Sequence, residues 1–179
     1  MILGKIIGTQ LLGFYSKGYT VTQAGTSDIG TTVIHASFPV YVRISGDTER
    51  IKRAFYKVFI FSACFLLIPT FIFILFPQLI VNILLGSKWQ PVVYILPLLA
   101  VAGYIQALFN IGSTLLTAKK KYGYLVALLT VTFITMIATI VPLSLQLGLY
   151  GAALSIVISR VVALPFFMVF IMWTLHPKK

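Results

Sequence analysis

Four long apolar stretches constrain what this chain can fold into more than any other feature of its sequence. Spanning the hydrocarbon core of a membrane takes roughly 20 mostly apolar helical residues. Each stretch is at least that long; they cover residues 55–76, 92–118, 124–146 and 150–175. Because the backbone polar groups of a lipid-exposed segment must be satisfied internally, we predict helices and no open sheet. The predicted fold class is therefore all-α, a polytopic membrane helix bundle.

A fifth stretch, residues 21–40, is less apolar than the other four. On a helical wheel its polar side chains and one glycine fall on one side, which comprises Gly25, Asp28, Thr31, Thr32 and His35. Such a helix can span only if that side faces other helices or a water-filled cavity. With this stretch included, we expect about five transmembrane helices.

The basic residues of the chain lie between the apolar stretches. Fourteen Lys and Arg against three Asp and Glu give a net charge of +11, which in a soluble protein would suggest a nucleic-acid partner. Here only 9% of the residues are charged, against about a quarter in soluble domains. We therefore expect no nucleic-acid partner and interpret the positive charge as a determinant of membrane orientation.

Strongly basic loops alternate along the chain with loops of little or no charge. The loop that follows residue 40, the run 119–121 and the tail are basic, whereas the loop at Lys88 has one charge and residues 141–150 have none. Since basic loops remain cytoplasmic, this pattern places the basic loops and the C-terminus in the cytoplasm. Residues 1–20 are then expected to be the end of a preceding transmembrane helix and an external loop, and residues 21–179 a single bundle domain.

Residues 77–91 form an apolar segment that is too short to span. Its apolar turn is followed by Gly86 and then by Lys88 and Trp89. A glycine suits the C-cap of a helix, and an indole is favoured at the membrane surface. We therefore predict a short interfacial helix in addition to the spans.

Four segments of the sequence, taken in order, resemble one family of membrane proteins. They are LLGFYSKGY at 11–19, FPVYVRISGDTERIKRAFYK at 38–57, LIVNILLGSKW at 79–89 and GLYGAALSIVISR at 148–160. In this order and spacing they resemble the polysaccharide transporter family of flippases, within the multidrug, oligosaccharidyl-lipid and polysaccharide exporter superfamily. The resemblance extends over nearly the whole chain and corresponds to the C-terminal half of such a transporter.

This resemblance implies one half of a MATE-like flippase fold, in which two bundles of about six helices surround a central cavity. The missing N-terminal half would then be a partner in function. The implied substrate is an undecaprenyl-pyrophosphate-linked oligosaccharide, such as an O-antigen, capsule or exopolysaccharide repeat unit, moved across the bacterial plasma membrane among its lipids. The alternatives are a multidrug or metabolite exporter, a lipid II flippase of the same superfamily, and a truncated membrane module that does not transport.

Arg160 is the most informative single residue. It lies about eleven residues inside the last apolar stretch, which at 1.5 Å per residue is near the middle of the membrane. A charge there costs several kcal/mol unless it is paired or hydrated. It is either a contact for the substrate pyrophosphate in the cavity, or a structural group that forms an ion pair or extends toward the outer headgroups.

Two further sets of polar residues are candidates for the cavity lining. Asp28 and His35 are seven residues apart on one side of their helix and could form a site linked to protons or cations, or could serve in helix–helix hydrogen bonds. The apolar stretch 92–118 carries a polar stripe at helical spacing, which comprises Gln106, Asn110, Ser113 and Thr117. That stripe either lines the cavity or joins helices.

Catalytic chemistry has no candidate residues in the sequence. Two His, one Cys and three acidic residues are scattered over different segments, without paired carboxylates or metal-ligand spacing. No GxxxxGK[ST] loop for nucleotide phosphates occurs. We therefore expect a protein that is not an enzyme and that needs no metal and no cofactor.

Overall fold

A computed structural model describes residues 8–44 and 46–176, except for the side chains of residues 27–29. The helices in chain order are α1 (Thr9–Arg43), α2 (Thr48–Leu75), α3 (Pro77–Leu84), α4 (Leu96–Ala118) and α5 (Tyr122–Leu175), with a 3-10 turn at Ser87–Val92 between α3 and α4. The residues described include no β-strand. The all-α class predicted from the apolar stretches is therefore confirmed.

Three of these helices, α2, α4 and α5, are long and apolar enough to cross a membrane. The 54-residue α5 is two helices in one run, because Gly148 interrupts it with φ 56° and ψ −128°. Each half exceeds the roughly 20 residues that a span requires. The four long apolar stretches thus correspond to four helices, and a span by α1 remains a prediction.

The start of α1 differs from the prediction. We expected an external loop before residue 21, but the helix begins at Thr9 and runs for 35 residues. The early part is held by packing: Gly18 lies against Val92 and Leu99, and these contacts favour continuing the helix over unwinding it. The two exposed basic residues Lys17 and Arg43 are about 39 Å apart along the axis at 1.5 Å per residue, close to the full thickness of a bilayer with its headgroups.

The start of α2 extends beyond its apolar stretch because the chain supplies a helix cap. The Asp47 side chain accepts a hydrogen bond of 3.0 Å from the Arg50 backbone N–H, and it also forms an ion pair of 3.1 Å with the Arg50 side chain. An aspartate at this position satisfies one of the free N–H groups of the first turn. The helix therefore begins outside the predicted membrane segment.

The two halves of α5 fold back on each other as a hairpin. Tyr124 in the first half stacks on Phe170 in the second, with ring centroids 4.8 Å apart. Next to the bend, Gly151 lies against the backbone carbonyl of Leu143. The positive φ of Gly148 is a conformation that other L-residues rarely adopt, so this glycine permits the reversal.

Helix α4 is the centre of the bundle. It is buried over most of its surface, whereas α2 and α5 are buried on one side only. Large apolar side chains on the outer surfaces are highly exposed, for example Phe61 at 71% and Leu129 at 68%. In a membrane such side chains face lipid, so their exposure agrees with the apolar stretches from which the spans were predicted.

The predicted short helix is α3, and Gly86 ends it as expected. The Gly86 N–H donates a 2.9 Å hydrogen bond to the Val81 carbonyl, and the φ of Gly86 is +88°, as in a glycine C-cap. Trp89 follows and meets Phe14 of α1 edge-on, with ring centroids 5.5 Å apart. The indole therefore also fixes α1 against the turn that precedes α4.

Candidate functional site

Arg160 lies in the second half of α5, close to its middle, at about 17 Å from the start of that half by helical rise. Only 6% of its surface is exposed. The guanidinium therefore neither faces lipid nor extends to a headgroup region. The depth of Arg160 within a membrane stays a prediction.

The neighbours of Arg160 leave part of its hydrogen-bonding capacity unused. The Tyr19 phenol lies beside the guanidinium, and Tyr15 lies close by. Tyr19 also accepts a hydrogen bond from the side-chain amide of Gln23. The Arg160 Nη1 is buried and has no hydrogen-bond partner among the described residues. A buried donor without a partner is costly, so this atom is ready to bind an acceptor.

The guanidinium lines a cleft of about 320 Å³ between α1, α4 and the α5 hairpin. The lining combines hydroxyl, amide and guanidinium groups with two apolar side chains. Its members are Tyr15, Tyr19, Gln106, Thr132, Met136, Ile156, Ser159 and Arg160. The cleft is thus formed by helices that are distant in sequence, and its polar groups are those that hydrogen-bond sugars and phosphates.

Of the predicted polar stripe, Gln106 lies at this site, and Asn110 is linked to it only through Gln106. The Gln106 amide lines the cleft and donates a 2.8 Å hydrogen bond to the Asn110 side-chain oxygen. The described hydrogen bonds of Ser113 and Thr117 also run to carbonyls of α4 itself, at 2.7 and 2.8 Å. Since these bonds stay within one helix, they do not support a role for the stripe in joining helices.

The charge of the cleft is suited to an anion. The described part of the chain has one ion pair, between Asp47 and Arg50 at the start of α2. Arg160 therefore has no acidic partner in that part. An arginine in a poorly hydrated site keeps its charge and binds phosphate oxygens through two parallel hydrogen bonds. The described residues contain no group of His, Cys, Asp and Glu that could hold a metal ion. The arrangement can bind and orient an anionic ligand.

His35 and Asp28 are not brought to this cleft by what the structure describes. His35 is exposed on α1, about 24 Å along the helix from Tyr19 at 1.5 Å per residue. The Asp28 side chain lies outside the described residues. A shared site of Asp28 and His35 therefore stays a prediction.

Several residues of the cleft were not predicted from the sequence. Tyr15 and Tyr19 are four residues apart and share a helix face, a signal that could have identified them had the segment been predicted as helix. Ser159 could have been found as the polar neighbour of Arg160. Thr132 is one of several threonines in its span, and no pattern in a single sequence distinguishes it.

Comparison with known proteins places this architecture in a family. The model of the family described as "Polysaccharide biosynthesis protein" matches residues 1–94, slightly more than half of the 179 residues. The chain belongs to this family. The matched part contains α1 to α3, and with them Tyr15 and Tyr19 of the cleft, whereas Gln106 and Arg160 lie beyond it.

Three curated relatives extend the similarity. The "Lipopolysaccharide biosynthesis protein WzxC" of Escherichia coli (strain K12) is 27% identical over 130 residues, which cover 68% of this chain and 25% of that protein. An "Uncharacterized membrane protein in cps region" of Klebsiella pneumoniae is 26% identical over 170 residues, 90% of this chain and 33% of that protein. The "Teichuronic acid biosynthesis protein TuaB" of Bacillus subtilis (strain 168) is 25% identical over 130 residues, 68% of this chain and 25% of that protein.

The chain therefore spans about a quarter to a third of the length of these relatives. No solved structure matches it. The apolar helices and the relatives together identify a membrane protein, and the resemblance to polysaccharide transporters that was inferred from four sequence segments is confirmed at the level of the family.

Proposed function

We propose that this chain is the C-terminal part of a flippase that moves lipid-linked oligosaccharides across a bacterial plasma membrane. The observation that carries the proposal is Arg160, which is buried within a span with its Nη1 free of protein partners among the described residues. A charged group at such a depth is expensive and usually marks a substrate pathway. Its position in a cleft that also holds hydroxyl and amide groups supports a role in binding rather than in lipid anchoring.

The proposed substrate has an anionic part and a sugar part, and the cleft has groups for both. Phosphate oxygens of an undecaprenyl-pyrophosphate carrier would accept hydrogen bonds from the guanidinium. The Gln106 amide and the Ser159 hydroxyl would serve the hydroxyls of the adjacent sugar. The names of the relatives support an envelope glycan, since two of them refer to the synthesis of lipopolysaccharide and of teichuronic acid.

Transport would proceed without covalent change to the substrate. In the proposed cycle the two halves of the complete transporter alternate between inward-open and outward-open states, and the cleft at Arg160 forms one wall of the cavity. The multi-pass arrangement would place the loops at Arg50 and Lys120 in the cytoplasm. Binding and release then require differential affinity between two states and no catalytic residue.

The test is a complementation assay in a strain whose own flippase gene is deleted. The complete transporter, with this chain as its C-terminal part, is expressed as wild type, as Arg160→Ala and as Arg43→Ala, the last being an exposed arginine of α1. Hydrogen bonds to charged groups contribute about 1.5–3 kcal/mol each, so Arg160→Ala should lower surface polysaccharide roughly 10- to 100-fold. Arg43→Ala should retain it.

The variants must be compared at equal levels in the membrane, measured by immunoblot. The proposal further requires that lipid-linked oligosaccharide accumulate in the cytoplasmic leaflet when Arg160 is replaced. Normal surface polysaccharide in the Arg160→Ala strain would refute the proposed role of Arg160. Export of cationic drugs, without any effect of the wild-type protein on polysaccharide, would instead identify a drug exporter of the same superfamily.

A further inference from the structure

A second cleft lies between α2, α4 and the second half of α5, and it shares no lining residue with the cleft at Arg160. Its volume is about 280 Å³. The wall from α2 includes Phe55 and Phe59, and the wall from α5 includes Leu164, Met168 and Ile171. These side chains are apolar, so the cleft suits a hydrocarbon chain. We call it the aromatic groove.

The floor of the aromatic groove is formed by packed rings. Phe59 stacks on Phe55 with ring centroids 5.4 Å apart and on Phe167 at 6.3 Å. Phe167 packs in turn against Phe109 of α4 at 4.8 Å. The ring of Phe167 also fills the space above Gly112, where a side chain would collide with it. Because the floor is fixed from behind, the groove is a preformed feature of the bundle.

One end of the groove is basic. Lys52 precedes Tyr56, which lines the groove, by one helical turn, and His176 follows Met172 of the groove by the same interval. The two basic side chains meet there, with Lys52 Nζ and His176 Nε2 2.8 Å apart. This contact lies about one turn beyond the lining residues, near the start of α2 and the end of α5.

The charges around this end favour an anion. Arg53 and Lys57 are exposed on α2, at the first and the fifth residue after Lys52, and the run 119–121 forms the α4–α5 connection. Of the two acidic residues near the start of α2, Asp47 is paired with Arg50 and Glu49 lies in the exposed first turn. Lys52 is in contact with an imidazole rather than a carboxylate, so its charge is not neutralised by that contact.

From this juxtaposition we infer that the aromatic groove binds an anionic phospholipid of the leaflet next to the basic loops. One acyl chain lies along the Phe55 and Phe59 rings, and the phosphate contacts Lys52 and His176. A basic pocket between transmembrane helices at the end of an apolar groove is the arrangement that binds anionic headgroups. This lipid would bind between helices as a structural component, whether or not the protein transports.

The occupant is a phospholipid rather than the carrier of the transported oligosaccharide. A carrier that crosses the membrane must leave the site in each cycle, whereas a groove with basic side chains near one end only favours an anionic lipid of one leaflet. The groove also opens beside Met168, which is 57% exposed, and so communicates with the surrounding lipid. A diacyl phospholipid can therefore place its second chain in the bilayer.

The test uses the complete transporter, with this chain as its C-terminal part, purified and reconstituted in nanodiscs. The nanodiscs contain phosphatidylethanolamine, with phosphatidylglycerol added as the probe at about one lipid in five. Native mass spectrometry of the released protein measures which lipid is retained. Wild type should retain phosphatidylglycerol preferentially. A lysine near an anionic surface contributes about 1 kcal/mol, which is roughly fivefold in binding, so Lys52→Ala should reduce the preference by about that factor. His176→Ala removes the side chain that contacts Lys52 and should also reduce it. Lys88→Ala, which removes an exposed lysine outside the groove, should not.

A substitution that fills the groove provides an independent arm. Met168→Trp places an indole at the opening and should lower the amount of retained phosphatidylglycerol, whereas Phe166→Trp, at an exposed position of the same helix that does not line the groove, should not. His176→Ala lies at the exposed end of α5, so it keeps the test valid if Lys52→Ala fails to fold. Thermal unfolding of each variant identifies such failures.

Three outcomes would overturn the inference. Equal retention of phosphatidylglycerol and phosphatidylethanolamine by wild type would show that the protein does not recognise the anionic headgroup. An unchanged preference in both Lys52→Ala and His176→Ala would show that other residues contact the headgroup. Displacement of phosphatidylglycerol by an equimolar amount of undecaprenyl phosphate would assign the aromatic groove to the isoprenoid tail of the substrate.

Discussion

Across the bend at Gly148, Gly151 lies directly against the carbonyl oxygen of Leu143, at a distance that leaves no room for a methyl group. The obstacle is backbone, which cannot rotate aside as a side chain could. We expect Gly151→Ala to open the α5 hairpin and to destabilise the protein by at least about 1–3 kcal/mol, the usual cost of overpacking. The loss should appear as a lower midpoint of thermal unfolding in detergent.

The matched control is Gly123→Ala in the same helical run. Gly123 has no neighbour within 4 Å of an added methyl group, and alanine has the higher helix propensity, by about 1 kcal/mol. Gly123→Ala should therefore keep or raise the unfolding midpoint. Equal midpoints for Gly151→Ala and wild type would show that the hairpin is looser than described.

The alternation of basic loops predicts which residues share a side of the membrane. In a Cys64→Ser background, which removes the exposed native cysteine, single cysteines are placed at Thr48 and at Ser87. Since basic loops remain cytoplasmic, a membrane-impermeant thiol reagent added outside intact cells should label position 87 and not position 48. Permeabilised cells should show labelling at both positions. Equal labelling of both from outside would contradict the predicted topology.

The chemistry of Arg160, and not its charge alone, should matter for transport. Arg160→Lys keeps a positive charge but loses the two parallel donors of the guanidinium and is more readily neutralised when buried. In the complementation assay it should lie between wild type and Arg160→Ala. Full activity of Arg160→Lys would show that transport needs only a positive charge at this position.

Tyr19 is expected to position the guanidinium. Tyr19→Phe keeps the ring and removes the hydroxyl that faces Arg160, which corresponds to about 0.5–1.5 kcal/mol for one hydrogen bond. Affinity for the lipid-linked substrate should fall roughly 2- to 10-fold, with an unchanged amount of protein in the membrane. Tyr122→Phe, at an exposed tyrosine, is the control and should bind as wild type does.

Substituting two threonines of α5 tests whether the Thr132 hydroxyl acts in the cleft or only in an intrahelical hydrogen bond. Thr130 and Thr132 each donate a 2.8 Å hydrogen bond to the carbonyl four residues earlier, but only Thr132 lines the cleft at Arg160. Valine has nearly the same shape, so either substitution removes the same kind of local bond. Transport should decrease in Thr132→Val and persist in Thr130→Val. A similar decrease in both would indicate that the intrahelical bond is what matters.

The spans were predictable because lipid imposes a simple rule on the sequence. Long apolar stretches identified α4 and both halves of α5 within a few residues, and α2 except for its start. The start of α1 was missed because residues 9–20 are not strongly apolar; their helix depends on packing against α4, as at Gly18. The capped start of α2 at Asp47 was also missed, since it lies outside the apolar stretch.

The site was predictable only where a polar or charged residue interrupts an apolar span. Arg160 stood out as a charge within a span, and Gln106 with Asn110 stood out as a polar stripe. Tyr15 and Tyr19 are ordinary residues for a membrane helix, and only the packing of α1 on α5 and α4 places them beside the guanidinium. Their contribution depends on contacts between helices that are far apart in the chain, which periodicity within one segment does not report.

We also expect the reversal at Gly148 to influence how the two halves of α5 are inserted into the membrane. An arginine at the centre of a single helix opposes release from the translocon into lipid by about 2.5–3.5 kcal/mol. Because the chain turns back at Gly148, the preceding helix offers the Thr132 hydroxyl on the same cleft that holds Arg160. The two halves of α5 can therefore enter the bilayer together, with the arginine turned toward its partner helix. A single glycine thus couples the geometry of the cleft to the biogenesis of the helices that form it.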